Sequence, residues 1–119
     1  MAPLPGGAPI GVYVHVPFCA HICPYCDFNT YAGQESLIPA YVDAVVRDLH
    51  AEADRIGARE SASIFLGGGT PSLLSAEQVA RVLDAVGERF LATPAIEVTM
   101  EVNPNGLTGE YLAGLRAAV

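Results

Sequence analysis

The three cysteines of this chain lie within eight residues, at Cys19, Cys23 and Cys26, and the sequence contains no other cysteine. Three thiolates at this spacing can bind three irons of a [4Fe–4S] cluster, which leaves the fourth iron without a protein thiolate. An iron of that kind is free to bind another molecule. The spacing therefore indicates chemistry at the open iron rather than simple electron storage.

Two other interpretations of the cysteines stay open at this point. Structural zinc takes four ligands, so His21 or His15 would have to join the three thiolates. Alternatively, Cys23-Pro24-Tyr25-Cys26 alone matches the dithiol tetrapeptide of glutaredoxins, which follows a strand near a βαβ unit. That thiol oxidoreductase interpretation leaves Cys19 without a role.

A glycine-rich segment, Gly67-Gly68-Gly69-Thr70-Pro71, lies between a predicted strand and a predicted helix. Glycines let the main chain approach a ligand closely, and its N–H and C=O groups can then bind the ligand's polar atoms. The segment lacks the Lys-Ser/Thr of a P-loop and the spacing of a dinucleotide fingerprint. Taken alone, it fits a ligand-binding loop or a tight turn.

Glu101 is predicted at the end of a third strand, where alternation places it on one face with Glu97 and Thr99. A carboxylate at that end of a parallel strand can meet a cationic or hydroxyl-bearing ligand. The alternative is a solvated charge at the strand end.

Six predicted elements position these residues, in the order β-α-β-α-β-α, which predicts parallel strands joined by right-handed crossovers. The unusual residues all follow strands, and active sites of α/β folds gather at that end. Three such units cannot close a barrel, so we expect part of a longer protein; a complete three-layer domain is the alternative. The predicted strands cover 11–16, 63–66 and 96–102, and the predicted helices cover 35–56, a segment capped by Ser75 with Gln78, and one capped by Thr108.

Composition excludes several classes of function. The net charge is −7 with only six Lys plus Arg, which argues against nucleic acid as the main partner. No apolar run approaches the ~18–20 residues that span a bilayer. Residues 1–10 lack the basic and apolar regions of a signal peptide and are predicted to be a flexible tail before a core at 11–119. Closely spaced cysteines in odd number favour a reducing cytoplasm.

In combination, these motifs resemble the radical S-adenosylmethionine (SAM) superfamily. The strings that carry the resemblance are Tyr13-Val-His-Val-Pro-Phe-Cys19, Gly67-Gly-Gly-Thr-Pro-Ser72 and Glu101-Val-Asn-Pro104, together with the cysteine motif. They are similar to the branch of oxygen-independent coproporphyrinogen III oxidase, over residues 11 to about 118. Within that branch, Cys26-Asp27-Phe28 resembles the haem-chaperone (HemW-type) group, because the oxidases carry a further cysteine where this chain has Phe28.

The resemblance implies an α/β fold, the first three β/α units of a partial (β/α)6 TIM-like barrel. It implies that Cys19, Cys23 and Cys26 bind three irons, that SAM chelates the fourth, and that Phe18 and Tyr25 pack around the cluster. The SAM contacts that it implies are Tyr13, Gly68, Gly69, Thr70 and Glu101.

The resemblance also implies the chemistry. The reduced cluster passes an electron to the sulfonium of SAM, and the deoxyadenosyl radical that results abstracts hydrogen from a substrate. In the oxidases this leads to loss of propionate carboxyls from coproporphyrinogen III; in the chaperone group haem is bound and passed to recipients such as respiratory proteins. Phe28 favours the haem chaperone and places oxidase activity in doubt. By residue type alone, the candidate haem ligands are His15, His21 and His50.

Overall fold

A parallel β-sheet packed on one side by helices holds this chain together. The computed structural model describes residues 7–19, 31–32, 35–104 and 107–119. Short 3-10 turns at Glu35–Leu37 and Pro71–Leu73 precede the first and second helices. In chain order, the elements are β1 (Ile10–Val16), β2 (Phe18–Cys19), β3 (Tyr31–Ala32), α1 (Ile38–Ile56), β4 (Glu60–Gly68), α2 (Ala76–Arg89), β5 (Leu91–Met100) and α3 (Gly109–Ala118).

The main sheet has the order β1-β4-β5, and both pairs of strands are parallel. The register sets Tyr13 of β1 beside Phe65 of β4, and Phe65 beside Thr99 of β5. Since side chains alternate along a strand, these three residues share one face of the sheet. Strands β2 and β3 form a separate two-residue parallel pair.

The two faces of the sheet differ sharply in burial. Val16 and Leu66 are fully buried, because they point toward the helices, whereas Tyr13 on the other face is 59% exposed. We call these the helix face and the open face. The helix-face core joins strand and helix side chains into one cluster: Val14, Val16, Ile64 and Leu66 with Ile38, Val42, Leu49, Ala53, Val79, Val82, Ala85 and Val86.

Local signals explain where the helices begin and end. Ser75 accepts a hydrogen bond from the Gln78 N–H, and the Gln78 side chain accepts one from the Ser75 N–H, which completes the predicted capping box of α2. Thr108 caps α3 by accepting a single hydrogen bond from the Tyr111 N–H. Gly57, with φ +79°, ends α1 as predicted.

The α/β class and the parallel sheet are confirmed, but several predicted boundaries are wrong. Strand β4 runs through Gly67 and Gly68 instead of stopping at Leu66, because both glycines pair with the end of β1. Strand β5 begins at Leu91 and stops at Met100, so Glu101 follows the strand rather than ending it. The β2–β3 pair was not predicted.

Tyr41 of α1 joins the helix layer to the end of β1. Its hydroxyl donates a hydrogen bond to the carbonyl of His15, and its ring meets Phe18 edge-on with centroids 5.3 Å apart. Burial raises the pKa of Tyr41 above its usual 10.0, and the charge of Asp48 and the neighbouring Tyr13 raise it further. The folded state therefore favours the neutral phenol, which keeps the donor in place.

This contact predicts a loss of stability in alkali. Because the pKa is higher in the folded state, the contribution of Tyr41 is complete below the unfolded pKa of 10.0 and is lost as pH rises through the folded value. We expect the free energy of unfolding, measured by urea denaturation, to fall more steeply above pH 10 in the wild type than in Tyr41→Phe. At pH 8 the variant should be less stable by about 1 kcal/mol for the lost hydrogen bond. Equal slopes for the two proteins would assign the alkaline loss to other groups.

Candidate functional site

The carboxyl ends of the strands meet around the glycine segment 67–71, which we call the glycine loop. The N–H of Gly69 donates to the carbonyl of Val16 at 2.8 Å, and the N–H of Thr70 donates to the carbonyl of Phe18 at 2.7 Å. On the other side, the N–H of Glu101 donates to the carbonyl of Leu66 at 3.0 Å. These bonds fix the loop between the segment that leads to Cys19 and the segment that follows β5.

The side chain of Glu101 reinforces this arrangement. Its Oε1 accepts a hydrogen bond of 3.0 Å from the N–H of Gly68. A backbone N–H bonded to a carboxylate is a charge-assisted contact, stronger than a bond between neutral groups. Glu101 is thus attached to the glycine loop although 33 residues separate the two partners in sequence.

Gly68 has the one backbone conformation in the loop that requires glycine. Its φ is +112°, and a Cβ there would lie 2.8 Å from both Cε1 and Nδ1 of His15 and 2.9 Å from the carbonyl of Val16. The imidazole of His15 therefore lies against the loop. The hydroxyl of Tyr13 lies 3.3 Å from His15 Nδ1, so it orients the imidazole.

Gly68→Ala tests this backbone conformation. We expect it to lower the free energy of unfolding by about 1–3 kcal/mol through backbone strain, besides the contact with His15. The matched control is Gly87→Ala in α2, where a Cβ meets nothing within 4 Å and where alanine is favoured by about 1 kcal/mol. Urea denaturation of both variants measures the difference; a Gly68→Ala variant as stable as Gly87→Ala would contradict the described loop.

Tyr13 and Phe65 form an aromatic pair on the open face. Their rings stack with centroids 5.8 Å apart and an angle of 16° between planes. Two residues nearer the carboxyl ends, on the same face, His15 of β1 lies beside Gly67 of β4. The stacked rings therefore lie directly below the glycine loop and continue its surface down the open face.

The structure brings together the residues predicted to contact SAM. Gly68, Gly69 and Thr70 form the loop, and Glu101 binds it directly. Tyr13 reaches the loop indirectly, through its contact with His15. The roles of these residues toward SAM stay predictions.

Of the cysteines, only Cys19 falls within the described ranges. It ends β2, one residue after Phe18, whose carbonyl receives the Thr70 N–H. Cys23, Cys26, His21, Tyr25 and Phe28 lie outside the described residues, so the predicted cluster stays a prediction. Within 7–19, 31–32, 35–104 and 107–119, the structure shows no group of three or more His, Cys, Asp or Glu that can hold a metal ion.

The residues present fit a cluster with a bound sulfonium nucleotide. The donor set is three thiols, which suits iron–sulfur ligation and falls one short of a closed structural zinc site. The glycine loop has no room for a Cβ at Gly67 or Gly68, so side chains are absent where the carboxylate of Glu101 and the imidazole of His15 approach its main chain. The carboxylate of Glu101 adds an acceptor beside it.

His50 lies away from this site, in the helix layer. Its Nδ1 is 3.1 Å from Arg89 Nη1, and the same guanidinium nitrogen donates to the His50 carbonyl at 3.2 Å. Arg89 also pairs with Asp54, and His50 Nε2 is 3.7 Å from Glu88. His50 thus ties α1 to α2, whereas by residue type alone it is a candidate haem ligand.

The sequence names His15 and Gly67 within motifs, but the contact of His15 with the loop and the lack of room for a side chain at Gly67 were not predicted. The sequence signal that could have found these contacts is strand alternation: Tyr13 and His15 share one face of β1, the face that the register sets toward Gly67.

In the described part of the chain, no helix combines the length and apolarity needed to cross a membrane.

Comparison with known proteins agrees with the geometry. The family model of the radical SAM superfamily matches residues 13–119. The chain is 43% identical to the heme chaperone HemW of Mycobacterium tuberculosis, covering 99% of this chain and 31% of that protein. It is 42% identical to the heme chaperone HemW of Escherichia coli, covering 92% of this chain and 29% of the relative.

A solved structure shares the fold. Coproporphyrinogen III oxidase (HemN) from Escherichia coli, described as a radical SAM enzyme, superposes with a TM-score of 0.85 and 30% sequence identity, over 93% of this chain and 26% of that one. The chain spans less than a third of the length of these relatives. The match of the family model over nearly all residues, joined with the cysteine motif and the glycine loop, shows that this chain belongs to the radical SAM superfamily.

Proposed function

We propose that the protein is a [4Fe–4S], SAM-binding haem chaperone, which binds haem and delivers it to recipient proteins such as respiratory enzymes. The observation that carries this proposal is the 43% identity to a heme chaperone over 99% of the chain, against 30% to the oxidase structure. Phe28, at the place of the oxidases' further cysteine, points the same way. A reducing cytoplasm suits the three free thiols.

In this proposal Cys19, Cys23 and Cys26 hold the cluster, and the glycine loop with Glu101 holds SAM. The bound pair supplies one-electron reductive cleavage of a sulfonium carbon–sulfur bond. The chain's own part is to position: the main chain of Gly68, Gly69 and Thr70 would contact the methionine end of SAM through carbonyl groups, because its N–H groups already donate to Glu101, Val16 and Phe18. Tyr13 would contribute beside the cluster, and it supports the loop through His15, 3.3 Å away.

The second candidate is an oxygen-independent coproporphyrinogen III oxidase, favoured by the TM-score of 0.85 to that enzyme. The two functions share the SAM site and differ in what happens to a tetrapyrrole. An oxidase removes propionate carboxyls from coproporphyrinogen III, whereas a chaperone retains haem unchanged. The glutaredoxin alternative requires only Cys23 and Cys26 and gives no role to the glycine loop.

One experiment separates these functions. The protein expressed from its complete reading frame is reconstituted with iron and sulfide without oxygen, then given haem, or coproporphyrinogen III with SAM and a reductant. We expect haem to co-elute with the protein on gel filtration and protoporphyrinogen to be absent, with the Escherichia coli oxidase as the positive control. Protoporphyrinogen formation at a rate near that of the control would replace the chaperone with the oxidase.

A further inference from the structure

Gly67 opens the glycine loop, yet its backbone conformation does not explain why it is glycine. It lies in β4 and pairs with His15 of β1. The described residues with positive φ are Gly7, Gly57 and Gly68, so Gly67 has a backbone that other residues adopt without strain. The restriction at this position is therefore one of space.

Glu101 occupies the space where a side chain at position 67 would lie. A Cβ built on Gly67 falls 2.8 Å from Oε1 of Glu101, the same oxygen that accepts the hydrogen bond from the Gly68 N–H. It also falls 2.6 Å from Cε1 of Phe65. The carboxylate thus passes over Gly67 to reach the next residue.

Phe65 and Glu101 differ in what they lose if they move to make room for a side chain at position 67. The Phe65 ring is 38% exposed on the open face, and turning it away costs its stacking on Tyr13. The Glu101 carboxylate ends an exposed, flexible side chain and can also move, but moving it lengthens its 3.0 Å hydrogen bond to the loop. A methyl group at position 67 therefore acts on the carboxylate and, through it, on the Gly68 amide.

We infer that Gly67 is a positioning residue of the SAM site, whose missing side chain gives the Glu101 carboxylate its path to the Gly68 N–H. This inference rests on the proposed SAM site and adds a residue that acts through Glu101 rather than through the ligand. Because the inference concerns a hydrogen bond within the chain, between Glu101 and the Gly68 N–H, one of its two tests requires no ligand.

The first test is a double-mutant cycle on SAM affinity. Equilibrium dialysis with radiolabelled SAM compares wild type, Gly67→Ala, Glu101→Ala and the double variant, all of complete length and reconstituted without oxygen. We expect Gly67→Ala to weaken binding about 10- to 100-fold, the range for a displaced charge-assisted hydrogen bond. In the Glu101→Ala background the same change should weaken binding less than about 2-fold, because no carboxylate remains to be displaced. Equal losses in both backgrounds would overturn the inference.

The second test uses no SAM. Hydrogen exchange followed by mass spectrometry on the segment around Gly68 should show faster exchange in Gly67→Ala and in Glu101→Ala, with no further increase in the double variant. Unchanged exchange in Gly67→Ala would overturn the inference even if SAM affinity fell. A wild type that fails to bind SAM, with the exchange pattern intact, would instead refute the proposed function and leave the positioning role supported.

Matched controls guard against a general loss of structure. Gly87→Ala makes the same chemical change where a Cβ meets nothing within 4 Å, and it should leave SAM affinity unchanged. Iron content per chain should be equal in all five proteins. A Gly67→Ala variant that had lost its iron would show a structural role and contradict the specific one.

Discussion

Cys23→Ala leaves the protein without a [4Fe–4S] cluster after anaerobic reconstitution. Residues 1–119 contain three cysteines, all within the motif, so no other thiol of this segment can replace the one removed. A cluster held by two protein thiolates has two irons open to solvent, and we expect iron content to fall to below about a tenth of the wild-type value. Iron and sulfide assays, with absorbance near 400 nm, measure the loss.

The other two cysteines supply the control for this result. Cys19→Ala should be as damaging as Cys23→Ala and Cys26→Ala, because in the proposed cluster each thiolate would bind one iron. A glutaredoxin-like dithiol predicts otherwise, since it needs Cys23 and leaves Cys19 dispensable. A Cys19→Ala protein with a full iron complement, or one zinc per chain in the wild type, would contradict the cluster assignment.

Leu66→Ala is expected to destabilise the fold more than any other substitution considered for the described residues. Leu66 is fully buried in the central strand, packed between the neighbouring strands and the helices. Its loss removes apolar burial and leaves a cavity, at a cost of about 2–5 kcal/mol. That is a large part of the total stability of a small domain. Urea denaturation monitored by circular dichroism measures the change.

Leu112→Ala is the matched control, the same truncation on a side chain of α3 that is 49% exposed. We expect its effect to stay within about 0.5 kcal/mol. Because the Leu66 carbonyl also accepts the N–H of Glu101, Leu66→Ala should loosen the site as well as the core. Similar losses of stability in the two variants would contradict the described burial.

The order of elements follows from the sequence because it depends on local signals. The spacing of apolar residues predicts α1 and α2, and the Ser75–Gln78 capping box sets where α2 begins. The strand boundaries fail for a non-local reason. Gly67 and Gly68 have low intrinsic preference for strands, yet both pair with β1; the segment from Leu91 is extended by pairing with Glu60 and Ser61.

The candidate site likewise has features that the sequence predicts and features that it does not. Its residue types, and their position after strands, are visible in the sequence. The bond from Gly68 to Glu101 and the contact of His15 with Gly68 depend on strand register, which a period of two does not fix between strands. The lack of room for a side chain at Gly67 was not predicted, because it is caused by Glu101, which is distant in sequence.

Electron paramagnetic resonance of the reduced cluster, recorded on the complete protein with and without SAM, tests the central claim most directly. The account predicts a [4Fe–4S] signal whose g values shift when SAM is added, because SAM binds the iron that no cysteine holds. The Cys19→Ala protein should show no such signal. A cluster signal indifferent to saturating SAM, or no cluster signal in the wild type, would contradict the account.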